Sequence, residues 1–268
     1  MSKSPDATPG RPVPPLPGLH RFDAPPQWRA IDFLSDLHLS PAQPRTLAAF
    51  ANAVETSDAD AILILGDLFE AWVGDDARSQ VFEDEVVALL RATASERWLG
   101  FMCGNRDFLL GAEMRDACGL HELPDPSVVN AWGRPVLLSH GDALCLDDVD
   151  YQRFRAEVRS PAWQSDFLAR PLGQRQALAR GMRDASQQHQ REAPQFGDLD
   201  AVAMKAWLSA SGCRDLVHGH THRPGSQRLA AGRWRHVLTD WDFDGDSPRG
   251  QTLRLTRNGF SRRPAFPA

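Results

Sequence analysis

Five times along this chain a short apolar run stops at a turn carrying Asp, Asn or His, and that recurrence limits the possible folds more than any other feature. Residues 28–34 (WRAIDFL) lead into SDLHLS, with Asp36 and His38. Residues 61–65 (AILIL) stop at Gly66-Asp67, 97–103 (RWLGFMC) at Gly104-Asn105, 134–139 (RPVLLS) at His140-Gly141, and 215–217 (DLV) at His218-Gly219-His220. A run such as AILIL suits a strand buried on both faces. Leu47, Phe50, Ala51 and Val54 fall at helical spacing within 44–56, as do Val86, Leu89 and Leu90 within 81–92. Strands alternating with helices imply an α/β fold, in which ligands bind outside the carboxyl ends of the strands. Five segments are therefore expected to deliver polar groups to one edge of one sheet. RWRHVLTDW and QTLRLTR add strand-like pieces in the tail.

The chain has 268 residues, 42% of them hydrophobic, enough for one large core. Two stretches depart from the α/β rhythm. Residues 1–27 are proline-rich and poor in aliphatics, and are expected to form a flexible leader before a domain spanning 28–268. From about 148 to 211 strand runs disappear and helical spacing takes over. Between Arg153 and Arg183, the arginines Arg153, Arg155, Arg159, Arg170, Arg175, Arg180 and Arg183 are set against only Glu157 and Asp166. This region reads as a helical insertion beside the site, the alternative being a solvated helix face. The net charge of −5 argues against general nucleic-acid coating. No apolar run approaches the ~20 residues that span a bilayer, and the N-terminus lacks a secretory apolar segment. The four cysteines show no C-x-x-C spacing and read as buried free thiols of a reducing cytosol.

Each turn motif is weak by itself. Asp36-x-His38 can place a carboxylate and an imidazole on the same side after a strand, yet a turn Asp beside a surface His is the commoner case. Glycines next to the polar residues permit backbone conformations that other residues resist. The specificity lies in the ordered set D-x-H, GD, GN, HGD and HGHTH, each after an apolar run.

That set, between about Ile31 and Asp240, resembles the calcineurin-like metallophosphoesterase superfamily. The resemblance implies a β-sandwich core flanked by helices, with the 148–211 stretch as a helical cap. It also implies two metal ions. Carried over residue by residue, Asp36, His38, Asp67 and His220 would hold the first, and Asp67, Asn105, His140 and His218 the second, with Asp67 bridging. Carboxylate, amide and imidazole donors without thiolate suit Mn²⁺, Fe²⁺, Zn²⁺ or Mg²⁺. Two such ions about 3.5–4 Å apart can clamp the attacking and leaving oxygens of an in-line displacement and lower the pKa of a water. His222, the last His of HGHTH, would orient a ligand, place charge near a phosphate, or be structural.

Arg106 follows Asn105, where many superfamily members carry a His that protonates an alkoxide. Arg is always charged and is a poor proton donor, but it can stabilise negative charge on a departing phosphate. It therefore suits a leaving group that needs no proton, such as a phosphate monoester with a second pKa near 6. The alternative is a loop ion pair with Asp107. GNRDFLLG, HGDALCLDDVDYQRFR and HGHTHRP together resemble the UDP-2,3-diacylglucosamine pyrophosphatase family of lipid A biosynthesis. This implies attack at the α-phosphorus of a lipid-linked UDP-sugar with Mn²⁺ as the usual metal, at a membrane surface met peripherally from the cytoplasm. Catalysis would rest on Asp67, Asn105, Arg106 and His140. Substrate contacts would come from Asn105, Arg106, Asp148, Tyr151, Arg183, Ser186, Gln190 and His218. Gln190 and Ala193 stand where the family commonly has Asn and Lys. Phe154, Val158, Trp163, Phe167, Leu168, Leu172, Leu178 and Met182 would either shelter acyl chains or pack the insertion against the core. A related dimetal phosphodiesterase or nucleotide pyrophosphatase is the alternative reading; the oligomeric state has no signature in the sequence.

Overall fold

The computed structural model describes residues 14–192 and 197–265, with the side chains of 184–192 left aside. The elements run in the order β1 (His20–Asp23), β2 (Ala30–Leu34), α1 (Pro44–Glu55), β3 (Ala61–Leu65), α2 (Val81–Glu96), β4 (Trp98–Met102), α3 (Ala112–Cys118), β5 (His121–Glu122), β6 (Ser127–Ala131) and β7 (Arg134–Ser139). Four helices follow: α4 (Val149–Val158), α5 (Pro161–Leu168), α6 (Leu172–Glu192) and α7 (Ala201–Ser211). The chain closes with β8 (Asp215–His218), β9 (Gly225–Arg228), β10 (Trp234–Val237), β11 (Gln251–Thr256) and β12 (Gly259–Pro264).

These strands make two six-stranded sheets, β1-β6-β7-β8-β10-β9 and β12-β11-β2-β3-β4-β5. The pleat explains how they stack, because successive side chains leave a strand on opposite faces. From β2 and β3, Ile31, Phe33, Ala61, Leu63 and Leu65 meet Val129, Val136, Leu138 and Val217 of the other sheet in an inter-sheet core. The alternate residues Leu34, Ile62 and Ile64 face outward, under Phe50 and Val54 of α1 and Val86 and Leu90 of α2. On the far side Val128, Leu137 and Leu216 lie under Ala203, Met204, Trp207 and Leu208 of α7. The result is helix, sheet, sheet, helix. Every residue of AILIL is buried, and each Ile or Leu so placed contributes about 1.5–3 kcal/mol.

Local chemistry sets the helix ends. Pro44 opens α1 and Pro161 opens α5, where a missing N–H costs nothing. The Asp200 carboxylate accepts from the N–H groups of Val202 and Ala203 at the start of α7.

The structure corrects three expectations. The five polar turns do not share one sheet: β2, β3 and β4 are parallel neighbours in one, β7 and β8 in the other. The turns meet because both sheets direct the carboxyl ends of these strands to the same end of the sandwich. Residues 20–23, assigned to the flexible leader, form β1, which pairs in parallel with β6 over His20↔Ser127 to Asp23↔Asn130. The leader's residues 1–13 lie outside the described residues. Finally, α7 lies within the stretch read as an insertion but packs as part of the core.

Candidate metal centre

Backbone hydrogen bonds between the turns assemble the site. Past the end of β2 the chain stays in register with the chain past β3: the N–H groups of Asp36, His38 and Leu39 donate to the carbonyls of Gly66, Asp67 and Leu68 at 3.1, 3.0 and 2.9 Å. Asp107, fully buried, receives the N–H groups of Gly104 (2.7 Å), Leu68 (2.7 Å) and Asp67 (3.3 Å) and so ties the third turn to the second. It is therefore no loop partner for Arg106. Instead, the Arg106 N–H donates to Asp67 Oδ1 at 2.8 Å, and its side-chain Nε is buried with no hydrogen-bond partner among the described residues.

Asp36, His38, Asp67, His220 and His222 all have positive φ, between +48° and +64°. Non-glycine residues there store of order 1–3 kcal/mol each and persist only where the surroundings over-determine them. Asp36 and His38 thus converge through two left-handed residues, not through the strand alternation expected for D-x-H. The glycines differ among themselves. Gly66 combines φ +90° with a close approach: a Cβ there would lie 2.5 Å from His140 Nδ1. Gly104 and Gly219 have ordinary φ and supply space, since a Cβ would overlap the carboxylates of Asp67 and Asp36 respectively.

Two groups of donors result. Asp36, His38 and His222 have ligand atoms within 4.8 Å of one another, and so do Asp36, Asp67 and His140. Asp67 stands between them, with Oδ2 3.9 Å from His38 Nε2 and Oδ1 3.7 Å from His140 Nε2. Asn105 Oδ1 sits 2.9 Å from both His140 Nε2 and His220 Nδ1.

This placement shifts the histidine assignments by two residues. His222 joins Asp36, His38 and the first group, with its Nε2 3.3 Å from both Asp36 Oδ1 and His38 Nε2. His220 joins Asn105 and His140. His218, expected as a metal ligand and substrate contact, reaches neither. It is fully buried, its Nε2 accepts from Arg235 Nε at 2.8 Å, and its Nδ1 lies 2.8 Å from the Gly219 carbonyl.

The electrostatics suit cations. Burial, with Asp107 and Asp36 nearby, pushes the Asp67 carboxyl up to about 7. Burial would also raise Asp36, but His222, His140 and His38 hold it well below the carboxylate range. His140 moves against its own burial: Asp67, Asp36 and Asp142 take it up to about 9. Burial and the positive charge of neighbours bring His38 and His220 down to about 3. His38, held neutral, and His222, raised against its own burial by its hydrogen bond to Asp36, face each other at 3.3 Å. They lie beside carboxylates with no hydrogen bond from an arginine or lysine side chain among the described residues, a donor set that suits divalent ions.

The cap reaches the site through Asp142 of the HGD turn, Tyr151 and the arginines of the insertion. Asp142, buried and held well below its usual range by Arg159 and Arg155 despite its burial, accepts from Tyr151 Oη (2.8 Å), Arg155 Nε (2.7 Å) and Arg159 (3.3 Å). Arg159 also donates to the Gly104 carbonyl at 2.9 Å. The Tyr151 ring stacks on His220 with centroids 5.9 Å apart. Asp148 caps α4 by accepting from the Tyr151 N–H at 3.0 Å. Arg175 is buried against Asp76 and the Val73 carbonyl, and Arg183 Nε lies 2.7 Å from Glu70. Much of the arginine excess therefore clamps the insertion to the body. The apolar residues divide likewise: Val158 and Phe167 are buried and Trp163, Leu172 and Met182 pack on the core, leaving Phe154, Leu168 and Leu178 exposed. Ser186 and Gln190 lie on α6, but their side chains, like Ala193, are outside the description.

The profile of the calcineurin-like phosphoesterases matches residues 30–224. UDP-2,3-diacylglucosamine hydrolase of Stenotrophomonas maltophilia (strain R551-3) is 43% identical over 242 residues, covering 85% of this chain and 96% of its own. The protein of that name from Bordetella pertussis is 42% identical over 245 residues, covering 88% and 93%. Among solved structures, vacuolar protein sorting 29 from Cryptosporidium parvum aligns at a TM-score of 0.44 and 13% identity, over 88% of this chain and 96% of that one.

Proposed function

The chain belongs to the calcineurin-like phosphoesterases and, within them, to the UDP-2,3-diacylglucosamine hydrolases, and from that premise we propose that it hydrolyses the pyrophosphate bond of UDP-2,3-diacylglucosamine in lipid A biosynthesis. Attack falls on the α-phosphorus and yields UMP and 2,3-diacylglucosamine 1-phosphate. The observation that carries this reading is the meeting of Asp36, His38, Asp67, Asn105, His140, His220 and His222 at one end of the sandwich, with Arg106 beside them.

Asp36, His38, Asp67 and His222 would hold one divalent ion, and Asp67, Asn105, His140 and His220 the other, with Mn²⁺ as the metal. Two such ions supply Lewis-acid charge at phosphorus and a water of lowered pKa. The protein's own groups do the rest. Asp67 offers one oxygen to each group of imidazoles, which suits a bridging role. Arg106 already lowers the pKa of His38 and Asp67 through its charge, so its guanidinium lies within electrostatic reach of the cluster. With Nε left without a hydrogen-bond partner among the described residues, it is suited to receive the sugar phosphate as it departs. That phosphate needs no proton to leave, and none need come from Arg106.

Arg155 and Arg159 hold Asp142 and thereby seat α4 over the strand ends, so α4 to α6 act as a cap. Tyr151, kept a neutral phenol by burial and Asp142, and Arg183 line the approach; Asp148, Ser186 and Gln190 complete the substrate contacts. A slot of about 150 Å³ has Leu39, Phe69, Trp72, Val73 and Phe82 on one part of its wall and Glu70, Glu83, Gln176, Arg180 and Arg183 on another, which suits the junction between a polar headgroup and the start of an acyl chain. Exposed Phe154, Leu168 and Leu178 among the arginines of the cap suit peripheral contact with an anionic membrane surface from the cytoplasm. No described helix is long and apolar enough to cross a membrane.

Purified protein incubated with Mn²⁺ and UDP-2,3-diacylglucosamine is expected to release UMP. Release of UDP would contradict attack at the α-phosphorus, and turnover of cyclic nucleotides in preference to this substrate would favour the phosphodiesterase reading.

A further inference from the structure

Glu70 stands three residues beyond Asp67 in the sequence GDLFE. The paired turns fix its place: the Glu70 N–H donates to the Leu39 carbonyl at 3.1 Å, one residue past His38. Its carboxylate lies between two cationic or potentially cationic groups. Oε2 is 3.4 Å from His38 Nδ1, and Oε1 is 2.7 Å from Nε of Arg183 on cap helix α6. Neither donor has a hydrogen bond of good alignment among the described residues, although both nitrogens are buried. The Glu70 side chain is itself only 16% exposed.

The chemistry of imidazole gives this placement a purpose. His38 Nε2 faces Asp67 and His222, so it is the nitrogen turned toward the proposed cation. A neutral imidazole that offers a lone pair at Nε2 carries its proton at Nδ1. That N–H is out of water and needs an acceptor, and Glu70 supplies the carboxylate beside it. Ligating histidines generally donate their second N–H to such a partner, which fixes the tautomer and the ring orientation. The neighbouring imidazole repeats the pattern. His222 Nδ1 lies 3.6 Å from Asp240 Oδ2, and Asp240 is gripped by Arg249 at 2.9 and 2.6 Å. Both histidines of one donor group thus have a carboxylate behind them, each backed by an arginine. The arginines differ in origin: Arg249 belongs to the loop before β11, whereas Arg183 belongs to the cap.

We infer that Glu70 is a positioning residue for His38 and that, through Arg183, it links occupancy of the Asp36–His38–His222 position to the seating of α6. With a cation held at Nε2, the His38 Nδ1–H would be a better donor to Oε2, and Glu70 would be held between His38 and Arg183. A loaded site therefore holds the cap helix more firmly than an empty one. Loss of Glu70 loosens one of the two cation positions and leaves the Asn105–His140–His220 position in place.

This inference rests on the metal-centre reading above, and the experiment separates the two. Metal-free full-length protein is titrated with Mn²⁺ by calorimetry, with electron paramagnetic resonance reporting coupled ion pairs. Wild type is expected to bind two ions; if it binds none, the metal-centre reading itself fails. Glu70→Ala is expected to weaken one ion by about 10–100-fold, the scale for removing such a partner, and to lose the coupled-pair signal at sub-saturating Mn²⁺ while keeping the other ion. Glu70→Gln preserves shape and an acceptor oxygen, so it should restore part of the affinity, and it carries the test alone if Glu70→Ala does not fold. Two ions bound by both variants, or by the folded Gln variant alone, with wild-type affinities would overturn the positioning role. Mn²⁺ should slow amide hydrogen exchange in α6 of wild type and not of the variant. Equal slowing in both would overturn the link to the cap.

Discussion

Strand β2 carries a buried carboxylate within it and another just beyond its end, and the two are treated in opposite ways. Asp32, 3% exposed, is held by both arms of Arg254 at 2.6 and 2.6 Å and by Ser57 Oγ at 2.7 Å, and the same guanidinium also reaches Asp58. Asp36, four residues on and fully buried, has no arginine or lysine partner among the described residues. It takes Ser35 Oγ, the His220 N–H at 3.1 and 3.0 Å, and the His222 ring at 3.3 Å. A guanidinium stays charged and matches a carboxylate arm for arm, so the Asp32 pair is complete as it stands. Imidazoles can be neutral and offer lone pairs, so the surroundings of Asp36 can exchange a proton for a metal cation. The backbone follows the same division: φ is positive at Asp36, His38 and Asp67, and at none of the residues around Arg254. Burial of charge alone thus does not mark a functional site; burial with an interchangeable partner and a strained backbone does.

The largest expected effect breaks the strand-end site. Asp67→Asn keeps the volume but offers only one oxygen where two are needed, so kcat/KM should fall by roughly 10³-fold or more and bound Mn²⁺ should drop below two per chain. The chain should remain folded by circular dichroism; near-normal turnover of UDP-2,3-diacylglucosamine would remove Asp67 from the centre. Next comes the complementary change. Arg254→Met leaves Asp32 buried without its counter-charge, and breaking a buried pair on one side costs about 3–5 kcal/mol. Urea unfolding should show that loss. With saturating Mn²⁺, kcat/KM of the folded fraction should stay within about twofold, because an uncompensated buried charge weakens the fold and this pair lies outside the metal centre.

The smallest effect compares the two sites by pH, in metal-free protein. Asp58 is lowered to about 2, first by its hydrogen bond to Arg254. A depressed carboxylate stabilises the fold above its unfolded pKa of about 3.9 and loses that contribution as pH falls toward 2. Asp67 has the opposite sign. Raised to about 7 by burial, it binds a proton more readily folded than unfolded. Its contribution is present below about 3.9 and fades as pH rises through 7. Asp58→Asn should therefore flatten the acid limb of a stability–pH curve, and Asp67→Asn the decline between about pH 4 and 7. Curves that both variants leave parallel to wild type would mean that the two sites do not differ in this way.

Much of this division was legible before any coordinates. AILIL, RPVLLS and the turns after them announce strands and polar ends, because burial on both faces and a Gly-bearing stop are local properties. The histidines were harder. His218, His220 and His222 alternate, so spacing alone suits either adjacent pair. The choice falls on His220 and His222 because Arg235, on the parallel neighbour β10, occupies His218 Nε2. Glu70 and Asp240 carry no motif, and Asp142 carries one (HGD) that does not reveal its role; each becomes meaningful only through a partner: His38 and Arg183, His222 and Arg249, or Arg155 and Arg159. β1 went unread because HRFD has neither a continuous apolar run nor a clear alternation, and its partner β6 lies about a hundred residues away.

The sequence by itself determined the strands that end in polar turns, the nature of the donors and the class of chemistry, since hydrophobic runs, turn residues and ligand types act over a few neighbouring positions. The tertiary structure decided which histidines converge, which arginines serve as clamps, and that two sheets supply the site. Those outcomes depend on which distant groups share a few ångströms of buried space, and there a nitrogen already engaged by one neighbour has no lone pair left to offer another.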